Sequence, residues 1–395
     1  MQSAVRSLAV TLAPLFRRIH DADVGVIEDQ IAIARVPAPT GGESARAEWM
    51  ARRLKTAGLR DVDIDDAGNV IAHGGSPGGS SPIVLCAHLD TVFESRELVH
   101  VRRDGARLHA PGISDNARGL ATMAALADLV GSRRLAVDRP ILFAATTGEE
   151  GHGDLRGARH LFDTAAAGAH AAIALDGPGD ERIVTSALGC RRYHIVFRGP
   201  GGHSWGRYGA PNAIHAVAAL VTRLTGYAAY DRTRTALTVS RIAGGSTINA
   251  IPAEAWIEVD VRSTSDAELV RIDQHVRRAA RDAGDEENAR RRNDTTPLAV
   301  TLTLIGERPG GEVSSDHDVV IAAAEATRAV GRTPEFAVAS TDANIPMSRG
   351  IPAIAIGGGG AGGETHTPAE WFENREGTRG IARAALLLAA LTGTR

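Results

Sequence analysis

The sequence predicts an α/β protein, a sheet flanked by helices, with a ferredoxin-like unit inserted into it. Three observations carry that prediction. First, near-continuous apolar segments ("PIVLCAHLD", "PILFAATTGEE", "AAIALDG") alternate with helical ones, the pattern of strands buried on both faces. Second, from about Gly189 the order becomes β-α-β-β-α-β, the split βαβ arrangement. Third, after about Gly310 the α/β style returns, so residues 1–188 and 310–395 form one domain and 189–309 another.

Taken in order, "SLAVTLAPLF" is short, has one Arg before it and two after it, and lacks a clear cleavage site, so it reads as a first helix rather than a signal peptide. Ile27 to Ala34 and Glu43 to Ala57 suit helices, and "DVDIDDAGNVIAHG" suits two strands around a turn at Ala67-Gly68. The strand "PIVLCAHLD", the helix "ARGLATMAALADLVG" and the strands "PILFAATTGEE" and "AAIALDG" complete the first part. In the insert, "RRYHIVFRG" is a strand, "NAIHAVAALVTRLTG" a helix, and "TALTVSRIAGG" and "AEAWIEVDVRS" are strands. The helix "DAELVRIDQHVRRAARD" and the strand "LAVTLTLIGE" close it, with charged "GDEENARRRND" expected as a solvated connection. "DVVIAAAEATRAVG" is then a helix, and "IPAIAIGGGG" a strand followed by a glycine loop.

A chain of 395 residues exceeds a usual single core, in agreement with two domains. A net charge of -3 gives no reason to expect nucleic acid or an anionic membrane as partner. No apolar run is long enough to span a bilayer, and Cys86 and Cys190 suggest no disulfide framework. The expectation is a cytoplasmic enzyme.

The chemistry gathers at strand ends, where open α/β sheets bind ligands. His88 and Asp90 share one face as their strand leaves the core, and Asp90 is placed to hold the imidazole. Glu149, Glu150 and Asp176 end further strands; Asp115 lies in the loop "APGISDNARG" and His366 in "GGETHTPAEW". Each acid alone is as well explained as a helix cap or a surface charge. Together, two His and several carboxylates form an N/O set that suits zinc, and also cobalt or manganese. The combination favours a two-metal hydrolase. The run "IGGGGAGG" is expected to line a substrate cleft with backbone.

The ordered motifs "HLD", "SDNARG", "GEEG", "LDG", "GGHS", "NAIP", "DVR" and "THTPAEW" resemble the dinuclear metallopeptidases of clan MH. That group includes peptidase T, glutamate carboxypeptidase, acetylornithine deacetylase, succinyl-diaminopimelate desuccinylase and aminoacylase. The resemblance implies a zinc-peptidase-like mixed sheet, with the insert serving as lid and dimerisation domain. It further implies two divalent ions, zinc foremost: His88 and Asp176 on one, Glu150 and His366 on the other, Asp115 bridging, and Asp90 orienting His88. It implies a cis peptide after Asp115, Glu149 as general base and His203 as oxyanion donor in the neighbour's site of a homodimer. Asn249 and Arg262 match lid residues that bind substrate, with Ser340, Thr341 and Asp342 as further contacts. On the residues alone, Glu149 also reads as a support, His203 as a loop stabiliser, and Asn249 or Arg262 as a strand-edge residue. "STDANIPMSRGIPAIAIGGGG" and "EEGHGDLRGARHLF" are most similar to the peptidase T-like branch, so a short peptide is the expected substrate. An N-acyl-amino-acid hydrolase and a carboxypeptidase are equally compatible with the lid motifs, and an inactive binding protein is a remoter alternative.

Overall fold

A computed structural model describes residues 1–78, 80–95, 97–227, 234–292 and 294–393. The chain divides into two compact units, Met1–Ala187 with Gly311–Arg395, and Leu188–Gly310.

The first unit is built on a mixed nine-stranded sheet. Its centre is four parallel strands in the order Ile141–Thr146, Ile83–His88, Ala171–Leu175 and Ala353–Ile356. All four are buried along their length, as their unbroken apolar sequences require. Being parallel, they bring their carboxyl ends to one edge. Arg60–Ile64 and Val70–Gly74 extend the sheet antiparallel on one side. They are joined by a turn in which the Asp65 carboxylate accepts from the backbone of Ala67 and Asn69, and Gly68 supplies a φ of 86°. Arg182–Ala187, Gly311–Glu312 and Glu335–Ala339 complete the other side. Helices including Ser44–Thr56, Ala117–Gly131, Asp318–Ala329 and Thr378–Thr392 pack against it.

The N-terminal segment forms two helices rather than one, Gln2–Thr11 and Ala13–Asp21. Pro14 explains the division, because it lacks an N–H and is tolerated only in a helix's first turn.

The second unit is a four-stranded antiparallel sheet ordered Thr235–Gly244, Glu254–Ser263, Gly189–Arg198 and Ala299–Arg308. With the helices Ala213–Thr225 and Asp266–Ala289 it has the βαββαβ chain order. Alternate strand residues (Tyr193, Ile195, Phe197, Ile257, Val259, Val261) bury one face with those helices. The second helix runs through most of "GDEENARRRND", which therefore is not simply a solvated connection; Asn293 lies outside the described residues. Gly284 and Glu287 are buried, Glu287 accepts from the backbone of Asn212, and Arg223 pairs with Glu286 at 2.5 Å. These contacts extend the helix where charge alone suggested a loop.

Candidate metal centre

At the carboxyl edge of the parallel strands the backbone is held by buried polar groups. The Arg46 guanidinium donates to the carbonyls of Val36 and Leu89, fixing the chain where it leaves the Ile83–His88 strand. Asp90 is fully buried, and its carboxylate accepts from the N–H groups of Glu149 and Glu150, both at 2.9 Å, and from the Thr40 hydroxyl. The closest Asp90 contact to His88 is its carbonyl, 3.0 Å from Nδ1, with the carboxylate at 3.6 Å. Asp90 thus ties the "HLD" strand end to the "GEEG" loop as well as facing the imidazole. Burial opposes its charge, but His88 and the two N–H groups outweigh burial and hold the carboxyl below its ordinary value.

Five predicted side chains converge there. Asp115 Oδ1 lies 3.0 Å from His88 Nε2, and its Oδ2 lies 3.3 Å from His366 Nε2. His366 Nε2 is also 2.9 Å from Glu150 Oε1. Donor atoms of His88, Asp115 and Asp176 lie within 4.8 Å of one another, and so do those of Asp115, Glu150 and His366. Two three-residue clusters therefore share Asp115, which presents one oxygen to each histidine. Glu149, also buried, is grouped with His88 and Glu150 within the same limit.

The carboxylates and imidazoles of the site perturb one another strongly. Burial, reinforced by the charge of Asp115, pushes the Asp176 carboxyl up to about 7. Hydrogen bonds to Asp115 and Glu150 push His366 up to about 10. Burial also opposes the Asp115 charge, but His366 and His88 overcome it and hold the carboxyl far below its usual range. Crowded carboxylates that share protons with imidazoles offer the oxygen and nitrogen donors that divalent ions take. The residues fit a pair of such ions.

Three further buried groups, which the sequence reading did not single out, brace these loops. The Asn116 side chain accepts from Gly119 N and Gly177 N and donates to the Leu175 carbonyl, coupling the Asp115 loop to the Asp176 strand end. The Asp115–Asn116 peptide is cis. Glu370 accepts from Gly112 N, Ser114 N, Ser114 Oγ and Asp115 N. Glu43 accepts from Gly41 N and Gly148 N and pairs with Arg156 at 2.6 Å. The only sequence signal for these was a polar residue inside a glycine-rich or ligand-bearing motif.

Gly357 lines a small cavity, and the glycine run also packs closely against neighbouring backbone. A side chain on Gly357 would meet the Pro178 carbonyl at 2.1 Å, and one on Gly359 the Gly377 carbonyl at 2.1 Å, so these residues permit close backbone packing. Asp342, proposed as a substrate contact, is 3% exposed and accepts from the Thr146 hydroxyl at 2.5 Å, which turns it into the protein. Thr341 lines a small cavity with Asp176, Arg182 and Gly357, and Ser340 is partly buried just before it.

In the second unit, His203 and Asn249 are brought together. Gly202–His203 pairs with Ala250–Ile251, and Ser204 N donates to the Asn249 carbonyl. The backbone N–H groups of Trp205 and Gly206 donate to His203 Nδ1, so a neutral ring carries its proton on Nε2. The Asn249 side chain accepts from the Thr247 hydroxyl. Arg262 lies on the sheet face away from the helices and pairs with Asp260 at 2.8 Å; Asp260 is shared with Arg192.

Comparison with known proteins gives the chain a family. The model of "Peptidase family M20/M25/M40" matches residues 84–390. Succinyl-diaminopimelate desuccinylase of Corynebacterium glutamicum is 26% identical over 249 residues, 61% of this chain and 67% of that protein. A putative succinyl-diaminopimelate desuccinylase of Mycobacterium tuberculosis is 27% identical over 257 residues, 63% of this chain and 71% of that protein. Among solved structures, aminopeptidase PepT from Bacillus cereus superposes with a TM-score of 0.75 at 21% identity, covering 93% of this chain and 98% of that one. A tripeptidase from Staphylococcus aureus gives 0.77 at 21% identity, covering 94% and 98%. No described helix is long and apolar enough to cross a membrane. The family match spans more than half of the sequence, and the chain belongs to peptidase family M20/M25/M40, as a metal-dependent peptidase or amidohydrolase.

Proposed function

We propose that the protein hydrolyses an amide bond in a short peptide, in the manner of a peptidase T-like aminopeptidase, using two divalent ions. The observation that carries the reading is Asp115, whose two oxygens face His88 and His366 in clusters completed by Asp176 and Glu150. His88, Asp115 and Asp176 would hold one ion, and Asp115, Glu150 and His366 the other. Zinc suits this donor set, as do cobalt and manganese. Such ions supply Lewis acidity and lower the pKa of water toward neutrality. Glu149 takes the water's proton and returns it to the leaving amine. Its backbone N–H is fixed by Asp90, which keeps the carboxylate beside the clusters.

His203, with Nε2–H free of the two bonds that occupy Nδ1, is suited to donate to the oxyanion of the tetrahedral intermediate. In this reading it serves the partner protomer of a homodimer. Exposed Trp205, Tyr208 and Ile248 in the segments around it support an interface with a second copy. Asn249 contacts the substrate, Ser340 contributes from the first unit, and Arg262 exchanges Asp260 for a substrate carboxylate, for which its two-pronged guanidinium is suited.

A second reading, hydrolysis of an N-acyl amino acid, is favoured by the two desuccinylase relatives. A panel of free-amine tripeptides, dipeptides and N-acylated amino acids, including N-succinyl compounds, separates the two. Highest kcat/KM on tripeptides with a free amine is expected. Preference for N-acylated substrates would replace the first reading with the second. Metal analysis on the same sample should approach two ions per chain, and chelation should abolish turnover.

A further inference from the structure

Among the buried acids outside the chemistry proposed above, Glu370 stands beside the metal-ligand loops. Glu370 is 0% exposed, and its two oxygens collect four donors from a single loop: Gly112 N at 2.8 Å, Ser114 N at 2.9 Å, Ser114 Oγ at 2.7 Å and Asp115 N at 2.9 Å. Every one of these contacts donates to the carboxylate, so a negative charge suits the position and a second donor does not. The main chain of Glu370 repeats the link, since its carbonyl accepts from Ala110 N. Four residues earlier in the same loop stands His366, at a φ of 66°, and Glu370 N donates to the Thr367 carbonyl beside it. Glu370 therefore clamps the loop that carries Asp115 to the loop that carries His366.

The other ligands are braced differently. Asp90 holds the Glu150 N–H and contacts the His88 ring, while Asn116 holds the strand end before Asp176. The Asp115–His366 spacing, 3.3 Å between Oδ2 and Nε2, is the one whose two loops Glu370 ties directly to each other, whereas it reaches the His88–Asp115–Asp176 cluster through Asp115 alone. We infer that Glu370 is a positioning residue that sets the affinity of the Asp115–Glu150–His366 cluster for its divalent ion, and affects the His88–Asp115–Asp176 cluster less. The inference rests on the two-ion reading above.

Removing a group that orients metal ligands typically weakens metal binding about 10- to 100-fold. Glu370→Gln keeps the shape, removes the charge and points an N–H at backbone donors. Zinc titrations of the metal-free parent, Glu370→Gln and His366→Ala, followed by calorimetry, resolve the binding steps. The step lost in His366→Ala identifies the ion held by that cluster. Glu370→Gln is expected to weaken that same step at least tenfold, with a smaller change in the other. Raising the zinc concentration should restore its turnover, which loss of a reacting group would not allow. If Glu370→Gln does not fold, Ser114→Ala decides, since it removes one of the four bonds and should weaken the same step several-fold. A folded Glu370→Gln with both dissociation constants within threefold of the parent would overturn the proposal, whatever its melting temperature; so would an unchanged Ser114→Ala if that variant has to decide. A parent that binds fewer than two ions would instead overturn the two-ion reading, and this inference with it.

Discussion

The surroundings of Asp176 oppose its charge, and a bound cation would reverse that. Burial and the charge of Asp115 move its carboxyl from 3.8 to about 7. An acid raised in this way contributes no penalty below its unfolded value. The penalty on the fold grows as pH climbs from about 4 to about 7 and is constant above. At about 1.36 kcal/mol per pH unit, the whole is roughly 4 kcal/mol, of which roughly 3 falls between pH 5 and pH 8. The side chain keeps some exposure to solvent, and screening trims the latter figure toward about 2 kcal/mol. Asp176→Asn removes the titration at nearly constant shape. In chelator, its unfolding free energy relative to the parent should therefore rise by about 2–3 kcal/mol from pH 5 to pH 8. Urea unfolding at both pH values measures it, and any fixed effect of the amide cancels in the difference. With zinc at a hundredfold excess over its dissociation constant, the parent should recover most of that difference, because it gains about 2.7 kcal/mol at the one site that Asp176 helps to form. A stability difference that does not change with pH would refute the reasoning.

Other expectations concern turnover. Glu149→Ala should retain both ions while kcat falls at least ~100-fold, the usual minimum for losing a general base; more than about a tenth of parental activity would reject the role. His203→Ala should lose about 100- to 1,000-fold in kcat. Mixed with Glu149→Ala under conditions of subunit exchange, it should recover roughly a quarter of parental activity, because each mixed dimer assembles one intact site. No recovery despite demonstrated exchange would mean that His203 acts within its own chain. Arg262→Ala should narrow the preference for substrates with a free carboxylate over their C-terminal amides, and an unchanged ratio would exclude Arg262 as the anchor.

The parallel strands were legible because unbroken apolar runs leave few alternatives, and their carboxyl ends announced where polar residues would gather. The ligand types stood out because His and acids at strand ends have no packing reason to be there. What escaped was bracing. Glu43, Asn116 and Glu370 act on backbone N–H and carbonyl groups far away in sequence, and a main-chain partner leaves no mark on composition. The close packing of the glycine run escaped for the same reason, since what Gly357 and Gly359 approach is backbone. The continuation of the Asp266 helix to Ala289 was missed because the charge of that stretch outweighed its packing in a reading by polarity. Asp342 looked like a pocket residue by its place in a loop, and only its bond to Thr146 shows that it faces inward.

The sheet of the first unit also imposes an order of events during synthesis. Strand Ala353–Ile356 lies between Ala171–Leu175 and Arg182–Ala187, yet it is translated after the whole of Leu188–Gly310. A nascent chain that ends before it has a gap in the middle of its sheet, exposing strand edges of the kind that invite pairing with other chains. The contiguous unit of residues 188–310 has all its strands on hand much earlier and can complete itself first. Closing that gap must wait for residues 353–356, and the chain that follows them carries both His366, which reaches Glu150 and Asp115, and the helix Thr378–Thr392 that packs on the sheet.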